Sequence, residues 1–322
     1  MTEKKRMLTL LWTMMLCLWV CFSFAQDKMN SPHFSREISF TTENDAYLLG
    51  KHDAFYTNGV FLRFTKAGSK KGNKIIESWE LGQMIYTPLI RKTIVPADID
   101  RPYCGFLFGK YTRSRFLKKD AILQYSTTIG LVGPGSLGED LQNSYHKLLG
   151  YSRFTGWIYQ VQDAIGVDAG ISYAETVWED SSWIKWVPMV QASLGSNFTN
   201  ARVGAYLCLG SFEKNSNSAL WNARIQKTAT TTRKKYELFA YWYPQLIYQG
   251  YNATVQGGLF YKGNGGAQLG EIERWMVQQN VGICYAEARW TTKVEVVFQG
   301  KEAVDQKTPQ QYGSIQLSYR LR

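Results

Sequence analysis

The chain has 322 residues, 45% of them hydrophobic and 20% charged, which excludes a disordered protein and allows a sizeable core. Its 28 glycines follow no G-X-Y period, which excludes collagen, and a net charge of +11 suits an anionic partner. Of five cysteines only Cys104, Cys208 and Cys284 lie beyond the N-terminal apolar run, an odd number without close spacing that builds no disulfide framework, and three histidines leave little room for a multi-histidine metal centre.

The first element is an export signal. Lys4, Lys5 and Arg6 precede an apolar run over residues 7–24, and Ser23-Phe24-Ala25 is a small-x-small cleavage site. Residues 1–25 read as a signal peptide and 26–322 as one mature domain. Export argues against nucleic acid as the partner of this basic chain. No later stretch approaches the ~18 apolar residues of a second membrane helix.

The mature chain instead alternates with period two. Residues 201–209, 253–261, 277–285 and 314–321 each place apolar side chains on one face and Gln, Asn, Ser, Thr, Gly or Arg on the other. A wet lumen and an apolar outer face have this pattern. Tyr241-Trp242-Tyr243, Trp183 and Trp186 read as interfacial aromatics. A soluble β-sandwich or lipocalin-like barrel also alternates, but the long polar face and the apolar closing strand favour a membrane barrel. The expected fold is all-β: an antiparallel transmembrane β-barrel. The runs count to twelve or thirteen, and twelve is preferred because bacterial barrels are even-numbered. Polar stretches 66–75, 211–235 and 301–311 read as connections, with the basic stretch 227–235 in solvent.

One segment departs from the β pattern. Ser136 and Glu139 are spaced as a capping box and Gly150 can end a helix, which predicts a short helix near 137–149. Gln142 and His146 share a face of it at i,i+4. In strand parity, Thr57 goes with Gly59, Phe61, Arg63 and Thr65 and points inward. Asp45 goes with Ser39, Thr41 and Glu43, also inward, which leaves Asn44 pointing outward unless the strand ends there.

Taken singly, Asn44-Asp45, Asp53, residues 56–59, Asp100-Arg101-Pro102-Tyr103 and His146 are ordinary turn or surface residues. In order, the segments ENDAY, DAFYTNG, DRPYCGF, GLVGPGSLGEDLQNSYHKLLG and GWIYQ resemble the outer-membrane lipid A 3′-O-deacylases of the LpxR type, from about Glu43 to Gln160. NSYHKLLG behind a VGP turn is the most specific piece. The resemblance implies a twelve-stranded barrel and calcium-dependent hydrolysis of the 3′ acyloxyacyl ester of lipid A. It places the catalytic histidine on His146, the Asn-Asp pair on Asn44 and Asp45, the strand hydroxyl on Thr57 and the helix glutamine on Gln142. Asp45 would be the anionic ligand of Ca²⁺. Where the family has a metal-binding Glu six residues after the histidine, this chain has Ser152, and Asp53 and Glu139 are the candidates to compensate.

The residue types suit ester hydrolysis, with a histidine base for water and a cation for the oxyanion. No GxSxG elbow supports a serine nucleophile. Arg91, Lys92 and Arg101 lie among the motifs and are candidates to hold lipid A phosphates, with plain loop exposure the alternative. The expected partners are lipopolysaccharide and outer-membrane lipid, with the chain a monomer. An outer-membrane phospholipase, a non-enzymatic pore and an inactive relative remain as alternatives.

Overall fold

The computed structural model describes residues 33–48, 55–70, 73–90, 93, 95–150, 153–180, 183–227, 234–261 and 265–322. The export segment, Asp53, Arg91, Lys92, Ser152 and residues 228–233 of the basic stretch lie outside the described residues.

The described residues form one sheet of thirteen antiparallel strands. They are β1 (Arg36–Asn44), β2 (Phe55–Lys70), β3 (Asn73–Thr87), β4 (Cys104–Phe116), β5 (Ala121–Val132), β6 (Ala164–Glu175), β7 (Trp178–Asp180), β8 (Ile184–Gly195), β9 (Phe198–Ser211), β10 (Tyr236–Asn252), β11 (Trp275–Glu287), β12 (Trp290–Gln299) and β13 (Gln310–Leu321). β1 pairs with β13 and β6 with β8, so the sheet closes on itself. Twelve strands make the wall. The three-residue β7 continues the line of β6 along β8, where Ala174 faces Met189 and Trp178 faces Trp186. Closure removes the unpaired edges that an open sheet would expose.

Alternation fills the two faces as expected. On β13 Ser314, Gln316, Ser318 and Arg320 are buried in the lumen. On β11 Val277, Val281 and Ile283 are exposed outward, as Leu62 and Phe64 are on β2. No helix among the described residues is long and apolar enough to cross a membrane.

Three local readings are corrected. Residues 253–261 are not a strand. The Asn252 side chain accepts the Thr254 N–H at 3.0 Å and starts a helical turn, Ala253–Gln256, which ends at Gly257 with φ +78°. Tyr241 and Tyr243 turn into the lumen, where Tyr243 stacks on Tyr206 at 3.8 Å, and only Trp242 faces out. Residues 66–70 and 73–75 are strand, so the polar stretch there is wall and not loop.

The strand directions put the described residues of the β1–β2, β3–β4, β5–β6, β10–β11 and β12–β13 connections at one end. The other end has short turns and the β9–β10 connection. Outer-membrane barrels keep long loops outside and short turns in the periplasm, which orients the wall. Residues 219–225 of the β9–β10 connection fold into the lumen. Lys293 Nζ donates to Leu220 O (3.2 Å) and Asn222 Oδ1 (3.0 Å), Lys74 Nζ donates to Ala223 O (2.6 Å), and Arg224 pairs with Glu237 at 3.0 Å. The first half of the connection 211–235 is thus a plug, while Lys227, Lys234 and Lys235 of the basic stretch are exposed as expected. Above it the lumen keeps cavities of about 410 and 250 Å³.

Candidate active site

The helix α1 (Gly138–Leu149) lies outside the barrel, against β3 and β4. On β4 Phe106, Phe108 and Lys110 line the lumenal cavity, so Gly105 faces outward. A Cβ on Gly138 would stand 2.7 Å from the Gly105 Cα. Only paired glycines let the helix start this close to the wall. On β3 Met84 and Tyr86 face the lumen, which leaves Ile85 facing out. Ile85 packs with Ile99, Tyr103, Phe154 and Trp157, an apolar pad on the outer wall.

The capping box does not form. Ser136 is buried and its hydroxyl donates to Gly133 O at 2.5 Å, and the residue that opens α1 is Leu137, left-handed at φ 60°. The sharp Gly133-Pro134 turn draws Ser136 back before it can reach the helix. Glu139 instead accepts from Asn143 Nδ2 (3.5 Å) and Gln160 Nε2 (3.3 Å). Gly150 ends the helix as expected, at φ 78°, with its N–H on the carbonyls of His146 and Lys147.

Gln142, Asn143 and His146 form the buried face of α1. Trp157 Nε1 donates to Gln142 Oε1 at 2.9 Å, and the Phe154 N–H donates to Asn143 Oδ1 at 3.2 Å. The His146 ring meets Phe154 edge-on, with centroids 4.6 Å apart at 87°. The pad therefore fixes the histidine against the wall.

The strand residues reach the same pad from below. Asn44 is the last residue of β1, faces Asn58 on β2, and its Oδ1 accepts the Ala46 N–H at 2.7 Å. Asp45 is buried and opens a 3-10 turn (Asp45–Leu48), so strand parity no longer decides its direction. Thr57 sits where the β2–β3 register slips by one residue, between Tyr56 and Asn58. Parity counted across that bulge does not hold: Tyr56 lines the lumen, donating to Glu43 Oε2 at 2.5 Å, while the Thr57 hydroxyl donates to Ile85 O at 3.3 Å. Ile85 thus joins Thr57 to the pad under His146 and Gln142. Asn44, Asp45 and Thr57 gather at the ends of β1 and β2, and β3, whose Ile85 accepts from Thr57, joins them to the helix that carries Gln142 and His146.

Arg101 is a correction. It is fully buried, pairs with Glu302 at 2.7 Å, donates to Thr254 Oγ1 at 3.1 Å and lies 3.9 Å over the Tyr86 ring. Its fork is committed to loop packing and does not hold a phosphate. Asp100 is similar, with its carboxylate accepting the N–H of Leu89 (2.9 Å) and of Lys307 (3.1 Å). The sequence reading missed Asn143, Phe154 and the Gly105–Gly138 contact. Asn143 is i,i+3 from His146 and was open to the same face argument; the other two are long-range contacts with no local signal.

Among the described residues no three His, Cys, Asp or Glu side chains converge as a metal cage. Calcium takes six to eight oxygens. At the ends of β1 and β2 the described carboxylates are Glu43, which accepts from Tyr56 and Ser314 in the lumen, and Asp45, while Glu139 is bonded within and beside α1. The described donors fit, at most, a weakly held calcium at Asp45.

These features define an outer-membrane β-barrel with a polar site on the outside of its wall. The family model described as "Outer membrane protein LpxR" matches residues 10–321, and the chain belongs to that family. LpxR from Salmonella typhimurium shares the fold, with TM-score 0.72 and 19% identity over 88% of this chain and 100% of that chain. The β domain of the Bordetella autotransporter BrkA aligns over 90% of this chain and 99% of its own with 11% identity and TM-score 0.47. No protein of curated function matches the chain.

Proposed function

We propose that the protein is an outer-membrane lipid A deacylase that hydrolyses the 3′ acyloxyacyl ester, with His146 as general base. The observation that carries this reading is the burial of His146 on the wall side of α1, edge-on to Phe154 of the outer pad and away from the lumen. His146 takes a proton from water, and the hydroxide formed attacks the ester carbonyl. The tetrahedral oxyanion collapses, the sugar oxygen leaves and takes the proton back from His146, and the products are a two-chain carboxylic acid and a free 3′ hydroxyl. Trp157 occupies the carbonyl end of Gln142, so its amide NH₂ is the end left to donate to the oxyanion. Thr57 and Asn44 hold the water from the wall side. Calcium, when bound at Asp45, would supply positive charge to the oxyanion; a site with one carboxylate saturates only at roughly 10⁻⁴–10⁻³ M or above.

The test is a mass spectrum of lipid A treated with purified protein in calcium and in chelator, beside His146→Ala. Loss of the two-chain unit by the wild type alone is expected, with activation at millimolar calcium. An unchanged spectrum from folded wild type, or equal activity in His146→Ala, overturns the proposal. Glycerophospholipid in the same assay separates a phospholipase from a lipid A enzyme. The plugged lumen speaks against a pore.

A further inference from the structure

The larger lumenal cavity, about 410 Å³, is lined by four charged side chains among the described residues: Lys110, Asp168, Arg202 and Glu302. Both carboxylates are satisfied by protein donors. Asp168 accepts from the Asn197 N–H (2.9 Å), Asn197 Nδ2 (3.2 Å) and the Phe198 N–H (3.0 Å). Glu302 is held by Arg101 (2.7 Å) and by Gln299 Nε2 (2.9 Å). The two cations have no such partners. Arg202 donates only through Nε, to Asn200 Oδ1 at 3.2 Å, which leaves the Nη1–Nη2 edge of its guanidinium free. The Lys110 ammonium bonds no described residue, and Glu80, the other carboxylate in its neighbourhood, is taken by Arg63 at 2.7 Å.

Charges withdrawn from bulk water are costly unless paired. Lys110 and Arg202 lie within electrostatic reach of each other, so each raises the cost of the other and both favour an anion between them. The free edge of Arg202 offers two parallel N–H donors and Lys110 a point charge, which is the donor set of a phosphate or carboxylate. The cavity is far larger than a bare phosphate needs and falls in the range of small-molecule sites. Its wall suits the rest of such a molecule. Ser126, Thr128 and Asn200 offer hydroxyls and an amide, and Phe106 and Phe108, stacked at 5.2 Å, stand on the face of β4 that carries Lys110. Hydroxyl and amide donors beside an aromatic face match a sugar ring. We propose that the lumen holds a binding site for a small anionic saccharide, a sugar bearing one phosphate or carboxylate, whose oxyanion lies between Lys110 and Arg202. The site does not rest on the deacylase reading: Lys110 is on the lumenal face of β4, and Gly105, which seats α1, is on the other.

The experiment is isothermal titration calorimetry of the full-length mature protein in non-ionic detergent at low salt, with glucose 6-phosphate, glucuronate, inorganic phosphate and glucose as probes. Saturable binding of at least one sugar anion is expected, with none of glucose, and the tighter of the two identifies the oxyanion. Lys110→Met and Arg202→Met should each weaken that binding by about tenfold or more, the loss of a charge-assisted hydrogen bond. Each removes an unpaired cation, so the urea midpoint without ligand should not fall below that of the wild type, and added sugar anion should raise the midpoint of the wild type alone. His146→Ala should bind the sugar anion as the wild type does. No saturable binding of either sugar anion overturns the proposal. So does glucose binding as tightly as glucose 6-phosphate, or binding that survives in Lys110→Met/Arg202→Met. Inorganic phosphate binding as tightly as glucose 6-phosphate overturns the saccharide, and loss of binding in His146→Ala would move the anion to the outer site and overturn the lumenal one. None of these outcomes depends on whether lipid A is deacylated.

Discussion

The barrel has two polar regions, and they are built on opposite terms. The lumen is crowded and, apart from Lys110 and Arg202, internally satisfied: Arg320 meets Glu37 at 3.2 Å, Arg224 meets Glu237, Lys293 bonds the plug, and Arg101 is held by Glu302. The outer site has few groups, held by single hydrogen bonds to the pad: Gln142 to Trp157, Asn143 to the Phe154 N–H, Thr57 to the Ile85 carbonyl. Charge density is a poor guide to function in this molecule. The lumen's ion pairs serve closure of the wall, because a buried charge left single is costly. The sparse site keeps its polar side chains positioned against an apolar pad, next to lipid.

The largest effect should come from the sparse region. His146→Ala is expected to lower deacylation by roughly 10²–10⁴-fold, the usual contribution of a general base, with the melting temperature near that of the wild type. A rate within threefold of wild type would erase the contrast between the two regions.

Next in size is Gly138→Val. A Cβ there meets the Gly105 Cα at 2.7 Å, so α1 must lift off the wall and carry His146 and Gln142 with it. The expected result is a loss of ten- to a hundredfold in activity, the order that a displacement of about 1 Å produces. The barrel should still form, as judged by heat-modifiable migration in a gel. Unaltered kinetics would mean that the helix does not position the site.

Arg101→Met probes the other region and should show the reverse pattern. It leaves Glu302 buried without its cation and should cost about 3–5 kcal/mol of stability. Activity per folded molecule should change little, since Arg101 is committed on the loop side. Arg101→Met/Glu302→Gln should recover most of the stability. A raised KM for lipid A with unchanged stability would return Arg101 to the substrate.

The same contrast explains what was legible in the sequence. Wall strands such as β11 and β13 declare themselves because burial on one side and lipid on the other impose period two over their whole length. Helix α1 and its His146 face were legible from local spacing and Gly150. What could not be read were the points where one contact overrides the pattern. The Asn252 side chain converts an alternating run into a helical turn. One inserted residue at Thr57 breaks parity. Tyr241 and Tyr243 face the lumen because Tyr206 and the plug fill it, which no window around residue 242 contains. Arg101 sits in a motif, but its partner Glu302 is far away along the chain.

The smallest effect tests the finest part of the comparison. Trp157→Phe keeps the ring and its packing against Tyr103, whose centroid lies 5.3 Å away, and removes only the N–H that holds Gln142 Oε1. A single buried hydrogen bond contributes about 0.5–1.5 kcal/mol. If that bond serves mainly to turn the Gln142 amide NH₂ toward the oxyanion, kcat should fall by about three- to tenfold with KM unchanged, and Gln142→Ala should add nothing further in the Trp157→Phe background. Equal falls in stability and no fall in kcat would make Gln142 a packing residue. The same loss of one bond from the lumen, for example Gln191→Leu against Tyr243 at 2.8 Å, should leave kcat untouched, because the lumen groups brace one another and none of them faces the lipid.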